Sequence, residues 1–318
     1  MSRRCLVRLS SWWASRHPVS SRGAHTQTHT GQLPRVHDYD TFIFDCDGVI
    51  WKGDTLINGA DKTLHHLWNA KKNVFFMTNN SLKTRKECVA KFDKLGIPIE
   101  PDNLLCSGFA AATYLSGLGF SHSNKKVYVI GERSVVTELQ LQGIATVGGP
   151  AFNGVHDPIS KDIHVDINPD IEAVVVGCDR GINYYKLMYA QQCLLNNPNC
   201  IFVATNTDQV KHLTPTQEFA GAGAMVNAVA GCTGINPIIT GKPSRFMIDY
   251  LTKVHGIDPS RSLMVGDRLD TDIAFGVNGG TSTCLVLSGC TTRIQAEKVT
   301  CDMKPDFIVD NIGALLTS

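Results

Sequence analysis

The chain lacks the cysteine patterns that bind zinc or form a disulfide framework. Its 318 residues include 11 cysteines, an odd number, and no two of them form a Cys-x-x-Cys pair. Cys46, Cys178 and Cys284 lie in or beside apolar runs. No segment has the pattern of a secretory signal, which would indicate an oxidising compartment. We therefore expect the cysteines to be free thiols in a reducing compartment.

Acidic residues are missing from the first 37 positions, whereas the rest of the chain is mildly acidic. The chain carries 30 basic and 29 acidic residues, and six of the basic ones are arginines within residues 1–37. The remaining body has 24 basic residues against 29 acidic ones, a net charge of −5. An acidic body offers no electrostatic surface for nucleic acid, so we expect no nucleic-acid partner.

No apolar run near the N-terminus is long enough to span a membrane or to form a secretory core. Arg8, the Trp12-Trp13 pair and Arg16 interrupt the apolar residues there. An acid-free segment rich in Arg and Ser is typical of an organellar transit peptide. We expect residues 1–37 to direct the protein to a mitochondrion or a plastid. If they form only a disordered tail, we expect a cytoplasmic protein; in neither case do we expect membrane binding.

Two glycine-containing segments lack what nucleotide-binding loops require. In Gly241-Lys242-Pro243, proline stands where a P-loop has Ser or Thr, and the upstream glycine spacing is missing. Gly221-Ala222-Gly223 lacks the third glycine of a dinucleotide fingerprint. Neither segment therefore predicts a nucleotide site.

Alternating strand and helix patterns predict an α/β protein. Short β-branched and aromatic runs indicate buried strands at 41–44, 74–77, 127–130, 173–176, 201–204, 238–240, 263–267, 283–287 and 307–309. Helical spacing separates most of them, and residues 145–168 are predicted to be loop. The β-α order restarts near residue 119, so we expect a domain of residues 38–118 and 236–318, interrupted by a second α/β domain of residues 119–235.

Polar side chains follow four of the predicted strands, at the point where each strand ends. These ends carry Asp45 and Asp47, Thr78 and Asn79, Gly241-Lys242, and Asp267. Because the carboxyl ends of parallel strands meet at one edge of a sheet, we expect the four ends to form one site.

This combination of side chains meets the needs of phosphoryl transfer. One carboxylate can attack phosphorus and form an aspartyl phosphate. A second acid can protonate the leaving oxygen and later activate water. A third carboxylate on a neighbouring strand completes a site of hard oxygen ligands that suits Mg²⁺. Lysine, hydroxyl and amide donors can hold the phosphoryl oxygens. We expect either Asp270 or Asp272 to support the metal ligands from behind.

The same segments resemble the four motifs of the haloacid-dehalogenase superfamily, in particular its phosphoglycolate/4-nitrophenyl phosphatase branch, to which pyridoxal phosphate phosphatase is related. The motif segments are Asp45-Cys46-Asp47-Gly48-Val49, Thr78-Asn79-Asn80, Lys242 and Gly266-Asp267-Arg268-Leu269-Asp270-Thr271-Asp272. Tyr184-Tyr185-Lys186 and Lys211-His212-Leu213-Thr214 are most similar to plant-type phosphoglycolate phosphatases. The resemblance implies a Rossmann-like, doubly wound parallel core with an inserted α/β cap that selects the substrate.

The resemblance also implies a role for each motif residue. Asp45 is expected to be the nucleophile and Asp47 the general acid/base. Mg²⁺ is expected to bind Asp45, the backbone carbonyl of Asp47, and Asp267. The phosphate is expected to bind Thr78, Asn79, Asn80 and Lys242. Dehalogenases lack the acid at Asp47, so dehalogenation is disfavoured, and hydrolysis of 2-phosphoglycolate to glycolate and phosphate is the expected reaction.

The substrate is less sharply indicated than the chemistry. Gly181 stands where pyridoxal phosphate phosphatases carry a histidine, which weakens that assignment. Arg180 is a candidate to bind a small substrate carboxylate bidentately, although a surface or structural role is more common for arginine. A broader phosphatase acting on 4-nitrophenyl, pyridoxal or sugar phosphates, a phosphoprotein phosphatase, and a non-catalytic binding protein stay open.

Assembly is a further expectation from the resemblance. Caps of this branch pair into homodimers, and the strands at 173–176 and 201–204 are candidates for the surface.

Overall fold

The computed structural model describes residues 33–156, 164–211, 217–299 and 303–316, with only the backbone of Lys211. The predicted leader lies outside the described residues apart from 33–37, and so do residues 212–214 of the plant-like segment.

The described chain divides into two compact units. The inserted unit consists of Asn79–Arg85 and Cys106–Gly241, and the core unit contains the other described residues. The chain therefore passes between the units after Thr78, Arg85, Leu105 and Gly241. These positions differ from the boundaries drawn at 118/119 and 235/236, which stay a prediction.

Strands and helices alternate along most of the chain. In chain order the strands are β1 (Thr41–Phe44), β2 (Trp51–Lys52), β3 (Thr55–Leu56), β4 (Asn73–Thr78), β5 (Leu104–Cys106), β6 (Lys126–Ile130), β7 (Ala145–Gly148), β8 (Ile171–Val176), β9 (Ile201–Ala204), β10 (Val210–Lys211), β11 (Phe219–Ala220), β12 (Ile238–Ile239), β13 (Ser262–Gly266), β14 (Ser282–Val286) and β15 (Phe307–Val309). The α-helices are α1 (Ala60–Asn69), α2 (Arg85–Lys94), α3 (Ser107–Gly117), α4 (Arg133–Leu141), α5 (Tyr184–Asn196), α6 (Ala222–Thr233), α7 (Phe246–His255), α8 (Ala274–Gly279) and α9 (Arg293–Glu297). Within the described ranges, no helix combines the length and apolar character needed to cross a membrane.

The core unit is built on a six-stranded sheet whose strand order is β15-β14-β13-β1-β4-β5. The pairings from β15 through to β4 are all parallel. The chain winds outward from β1 in both directions, as in a doubly wound fold. Phe44, the last residue of β1, is in register with Val265 on one side and with Phe76 on the other, so β1, β4 and β13 end within two residues of one another along the sheet. This alignment brings their following residues to one edge, as the sequence predicted.

Continuous apolar runs form the centre of this sheet because both of its faces are covered. All four residues of β1 are buried, and Phe42, Phe44 and Phe76 share one apolar cluster with Phe92 of α2. A strand buried on both faces carries an uninterrupted apolar run rather than an alternating one.

The inserted unit has its own five-stranded parallel sheet, in the order β12-β9-β8-β6-β7. The second α/β fold is as predicted, but the predictions for two of its strands were wrong. β12 was expected in the sheet of Asp45, whereas it pairs with β9. A run of two or three apolar residues predicts a strand but gives no information about its partner. β7 lies in the segment predicted to be loop, where it is an edge strand only four residues long.

The two strands proposed for a dimer surface are internal. β8 lies between β6 and β9, and β9 between β8 and β12. Ala173–Val176 is fully buried, and only Ile201 in β9 is partly exposed. The expectation that these strands provide a surface is therefore wrong, because their apolar runs reflect burial on both faces of a sheet.

Candidate active site

Asp45 directly follows β1 at the carboxyl edge of the core sheet. Its backbone N–H donates to Val265 O at 2.9 Å, which continues the alignment of β1 with β13. The residue is only 7% exposed, although it carries a carboxylate. A buried carboxylate needs a cation or several donors to remain charged.

Lys242 supplies a buried cation at this position. Its Nζ lies 2.5 Å from Asp45 Oδ1, 2.6 Å from Asp272 Oδ1 and 3.0 Å from the carbonyl oxygen of Met77. Asp272 Oδ1 therefore forms a close ion pair with the ammonium group of Lys242. Burial disfavours the charge on Lys242, but Asp272 and Asp45 hold its pKa above its usual range. The ammonium group is therefore kept charged beside the carboxylate of Asp45.

Asp272 is the acid that supports the site residues, through Lys242 and the backbone of Asp267. Its Oδ2 accepts hydrogen bonds from the backbone N–H groups of Asp267 and Arg268, each at 3.1 Å. A π-helical turn, Leu269–Ile273, returns the chain so that this is possible. Asp270 is exposed and pairs with Arg268 at 2.7 Å. Of the two acids that follow Asp267, the structure thus brings only Asp272 to the site.

Asp267 lies in a seat formed by two glycines. A Cβ atom at Gly289 would lie 2.0 Å from Asp267 Oδ2, and one at Gly48 would lie 2.6 Å from it. Gly48 also has φ of +87°, in the left-handed region that favours glycine. The backbone N–H of Cys290 donates to Oδ2 at 2.7 Å. These contacts fix the direction of the Asp267 carboxylate.

The three buried carboxylates have the chemistry of a divalent-cation site. Asp45, Asp267 and Asp272 each offer an oxygen, and these oxygens lie within 4.8 Å of one another. Three carboxylates and one lysine leave two uncompensated negative charges, which match one divalent cation. Hard oxygen donors suit Mg²⁺. The residues present therefore fit Mg²⁺, with Asp45 and Asp267 as ligands, since both oxygens of Asp272 already have partners.

Burial and the mutual repulsion of these acids shift the pKa values of Asp45 and Asp267. Burial raises the pKa of Asp45 well above its usual value, as do Asp272 and Asp267, while Lys242 opposes the shift. Burial, followed by the charge of Asp272, raises the pKa of Asp267 to about 6, and the hydrogen bond from Cys290 opposes this. A cation between the carboxylates favours their charged forms.

Asp47 differs from these acids because it is exposed. Its side chain is 62% accessible to solvent. Its Oδ1 accepts a hydrogen bond from Trp51 Nε1 at 2.8 Å, and Lys91 Nζ lies 4.0 Å from the same oxygen. A carboxylate with access to solvent is able to exchange protons with it.

The predicted phosphate-binding residues lie at and beyond the end of β4. Thr78 is its last residue and is buried directly after Met77, whose carbonyl binds Lys242. Asn79 begins the inserted unit, where its Nδ2 donates to Asp208 Oδ1 at 2.9 Å. Asn80 Oδ1 accepts from the backbone N–H of Leu82 at 2.8 Å. Their role in holding phosphate stays a prediction.

Sequence reasoning missed the residues that hold Asn79. Besides the Asp208 contact, its backbone oxygen accepts from Ser107 Oγ at 2.9 Å and from Asn206 Nδ2 at 2.8 Å. Asn206 and Asp208 follow β9 closely. A signal was present, because these polar residues follow a buried strand just as Asp45 follows β1.

Arg180 lies in the inserted unit and forms an ion pair there. Its Nε donates to Glu132 Oε1 at 2.8 Å, and its backbone N–H donates to the same oxygen at 3.1 Å. The hydrogen bond from Arg180 lowers the pKa of Glu132. The arginine side chain is nevertheless 72% exposed.

The burial of Lys186, which belongs to the plant-like segment Tyr184-Tyr185-Lys186, was not predicted. Lys186 is fully buried, and its Nζ lies 2.7 Å from Asp179 Oδ2 and 2.6 Å from Asn153 Oδ1. A Cβ atom at Gly181 would lie 2.4 Å from the same Asn153 oxygen. Sequence gave no sign of this cluster, because Lys186 stands in a helical pattern in which lysine is normally exposed.

Comparison with known proteins identifies the family. A model described as haloacid dehalogenase-like hydrolase matches residues 42–145, and a second HAD-hydrolase-like model matches residues 239–315. Phosphoglycolate phosphatase 1A, chloroplastic, of Arabidopsis thaliana is 46% identical over 299 residues, covering 94% of this chain and 82% of the relative. Human glycerol-3-phosphate phosphatase is 38% identical over 297 residues, covering 88% and 90% of the two chains.

A solved structure agrees with these sequence matches. The p-nitrophenyl phosphatase from Archaeoglobus fulgidus superposes with a TM-score of 0.75 at 27% identity, covering 88% of this chain and 99% of that one. The carboxyl-edge cluster of Asp45, Lys242, Asp267 and Asp272 lies within the two segments that the family models match. The chain therefore belongs to the haloacid dehalogenase-like hydrolases, in the branch of the phosphoglycolate and 4-nitrophenyl phosphatases.

Proposed function

We propose that this protein is a Mg²⁺-dependent phosphoric monoester hydrolase that cleaves 2-phosphoglycolate to glycolate and inorganic phosphate. The observation that carries the proposal is Lys242 Nζ held between Asp45 and Asp272, with the Asp267 carboxylate in the same cluster. This arrangement keeps one carboxylate beside a fixed positive charge at a sheet edge where hard oxygen ligands converge. It matches what attack on a phosphoryl group requires.

Two steps account for the proposed reaction. In the first, an Asp45 carboxylate oxygen forms a bond to phosphorus while the bond from phosphorus to the ester oxygen breaks. Asp47 donates its proton to that oxygen, and glycolate leaves as the alcohol. In the second step, the Asp47 carboxylate takes a proton from water, whose oxygen attacks phosphorus. The bond to Asp45 breaks, which releases phosphate and restores the carboxylate.

Both steps require neutralisation of negative charge, because a phosphate dianion must approach buried carboxylates. Lys242 offsets part of this charge and holds a phosphoryl oxygen, with Thr78, Asn79 and Asn80 as further proposed donors. Mg²⁺, when bound by Asp45, Asp267 and the Asp47 carbonyl, supplies Lewis-acid stabilisation of the transferring group.

Arg180 is our proposed ligand for the substrate carboxylate. Its guanidinium is largely exposed although Nε is bound to Glu132, so the outer nitrogens can form a fork for a second carboxylate. Arg180→Met should raise KM for 2-phosphoglycolate and leave KM for 4-nitrophenyl phosphate unchanged, since only the first has a carboxylate. An equal change for both esters contradicts this role.

A substrate panel tests the proposed function. Phosphate release from 2-phosphoglycolate, glycerol 3-phosphate, pyridoxal phosphate and 4-nitrophenyl phosphate is measured with Mg²⁺ and with EDTA. We expect kcat/KM to be highest for 2-phosphoglycolate, with no turnover in EDTA. Asp45→Asn should fold normally and lose turnover. If glycerol 3-phosphate or another ester ranks first, the broader phosphatase function replaces the specific one; activity in the Asp45 variant would refute the assigned nucleophile.

We also propose an organellar location and a homodimer formed through the inserted unit. A plastid is consistent with the name of the chloroplastic Arabidopsis relative. A fluorescent fusion of residues 1–37 should accumulate in plastids or mitochondria, and diffuse cytosolic signal would exclude targeting. Light scattering on the full chain should give twice the mass of one chain.

A further inference from the structure

The general acid proposed above, Asp47, is exposed on an otherwise largely buried turn, and its direction is set by two neighbours. Gly48 N–H donates to Trp51 O at 2.8 Å, and the N–H groups of Ile50 and Trp51 donate to Cys46 O at 2.9 and 3.2 Å. This turn carries the chain back so that Trp51 stands beside Asp47. The indole Nε1–H then donates to Asp47 Oδ1 at 2.8 Å.

The indole is itself held firmly. Trp51 is 4% exposed and packs edge-on against Phe92, with ring centroids 4.6 Å apart. Phe92 packs in turn on Phe76 of β4, at 4.6 Å. The donor that faces Asp47 is therefore anchored in the apolar core, whereas Asp47 on its own would be free to change rotamer.

Lys91 of α2 completes the arrangement. Its Nζ lies 4.2 Å from the centre of the Trp51 ring and 4.0 Å from Asp47 Oδ1. The ammonium thus forms a cation–π contact with the indole and attracts the same carboxylate oxygen that the indole binds. Among the described residues, Asp47 Oδ2 has no hydrogen-bond donor.

We infer that Trp51 and Lys91 are positioning residues that hold Asp47 Oδ1, so that Oδ2 is the oxygen that transfers the proton. This inference rests on the proposed function, because it assigns how the general acid of that reaction is aimed. In the first step the proton leaves Oδ2 for the ester oxygen as the bond from phosphorus to that oxygen breaks. The second step returns a proton from water to the same atom.

The two classes of leaving group separate this role from a structural one. An alkoxide, such as that of glycolate, needs a proton as it departs, whereas 4-nitrophenolate is a stable anion and departs without one. If the Asp47 carboxylate is no longer held in this orientation, kcat/KM should therefore fall selectively for alkyl phosphates. A general loss of structure would reduce kcat/KM for both classes alike.

Trp51→Phe removes the N–H donor and keeps an aromatic ring for Phe92 and Lys91. We expect kcat/KM for 2-phosphoglycolate to fall about tenfold, the loss of one hydrogen bond to a charged group, and kcat/KM for 4-nitrophenyl phosphate to change less than about twofold. Lys91→Met should show the same selectivity, whereas Lys91→Arg, which keeps the positive charge, should retain most of the wild-type activity. Trp68→Phe and Lys94→Met, which alter a tryptophan and a lysine away from Asp47 in the core unit, are the matched controls.

Asp47→Asn sets the reference for the test. The Trp51→Phe/Asp47→Asn double variant should be no slower on 2-phosphoglycolate than Asp47→Asn alone, because both changes act on one proton transfer. Equal losses on both esters, or additive losses in the double variant, overturn the inference while the wild-type activity leaves the proposed function intact. If Trp51→Phe does not fold, the Lys91 variants decide alone. If wild type cleaves no ester, the proposed function fails, and this inference fails with it.

Discussion

Lys242 Nζ and Asp45 Oδ1 lie 2.5 Å apart, although 197 residues separate them in the chain. The chain enters the core unit at Lys242, directly after the inserted unit ends at Gly241. Lys242 thus reaches the edge of the core sheet from the segment in which the chain re-enters the core unit, and it does not follow a strand of that sheet. Burial disfavours the negative charge on Asp45, so this charge depends on the contact with Lys242.

Replacing Lys242 by Met should abolish turnover and lower stability. The change removes the Lys242 ammonium from its ion pairs with two buried carboxylates, and breaking a buried pair typically costs about 3–5 kcal/mol. Urea unfolding in metal-free buffer measures this loss, and the phosphate-release assay measures turnover. Lys94→Met, at an exposed position of α2, should change the free energy of unfolding by less than about 0.5 kcal/mol. An equally stable Lys242 variant would show that the ion pairs contribute little.

Mg²⁺ should stabilise the protein through Asp267 and not through Asp270. At a concentration 100 times its Kd, a ligand that binds only the folded state adds about 2.7 kcal/mol to the free energy of unfolding. We expect this increase in the wild type and in Asp270→Asn, because Asp270 is exposed and paired with Arg268. Asp267→Asn should lose most of it, since the variant lacks a charged ligand. Calorimetric titration and thermal unfolding give the comparison, and equal binding by both variants would remove Asp267 from the metal site.

Gly289→Ala tests the seat of Asp267 without changing any charge. The added Cβ would lie 2.0 Å from Asp267 Oδ2, which the Cys290 N–H holds in place, so the carboxylate must move. We expect Mg²⁺ affinity to fall by about 10–100-fold, as for other changes that misorient a ligand. Gly231→Ala is the matched control, because its Cβ meets nothing within 4 Å and Gly231 lies inside α6. That control should gain about 0.5–1 kcal/mol of stability and keep its Mg²⁺ affinity. Unchanged Mg²⁺ affinity in Gly289→Ala would argue against the seat.

Local signals account for the parts of the fold and site that sequence predicted. The run Thr41–Phe44 followed by Asp45 shows both a buried strand and its carboxyl end, and β13 followed by Asp267 repeats the pattern. Asp272 was one of two acids named for a supporting role, and only the π-helical turn distinguishes it from Asp270. Such information depends on backbone geometry that residue spacing does not carry.

Non-local pairing accounts for what was missed. Ile238 and Ile239 form a strand as predicted, but their partner is β9, in the inserted unit. The contact of Asn79 with Asp208 joins residues 129 positions apart. Trp51 lies in the antiparallel β2–β3 pair, and its hydrogen bond to Asp47 follows from the geometry of the turn before it. Pairings between residues far apart in the sequence depend on the tertiary fold, which local hydrophobic patterns do not specify.

Breaking the buried pair of Lys186 and Asp179 should strongly destabilise the protein. Both side chains are at most 2% exposed, and their charged atoms lie 2.7 Å apart. Lys186→Met leaves an uncompensated buried carboxylate, so we expect a loss of about 3–5 kcal/mol in urea unfolding. Lys186→Met/Asp179→Asn should be less destabilised than the sum of the single variants by about 0.5–3 kcal/mol, because neither charge remains.

An exposed ion pair in the same unit provides the control for this prediction. Lys126 Nζ and Asp170 Oδ2 lie 2.9 Å apart, and their side chains are 32% and 49% exposed. Lys126→Met should cost no more than about 1 kcal/mol, because solvent screens the pair and hydrates the remaining carboxylate. Equal losses in Lys126→Met and Lys186→Met would mean that burial does not set the contribution of Lys186. Additive losses in the double variant would mean that Lys186 acts mainly through Asn153, which accepts from the same ammonium group at 2.6 Å.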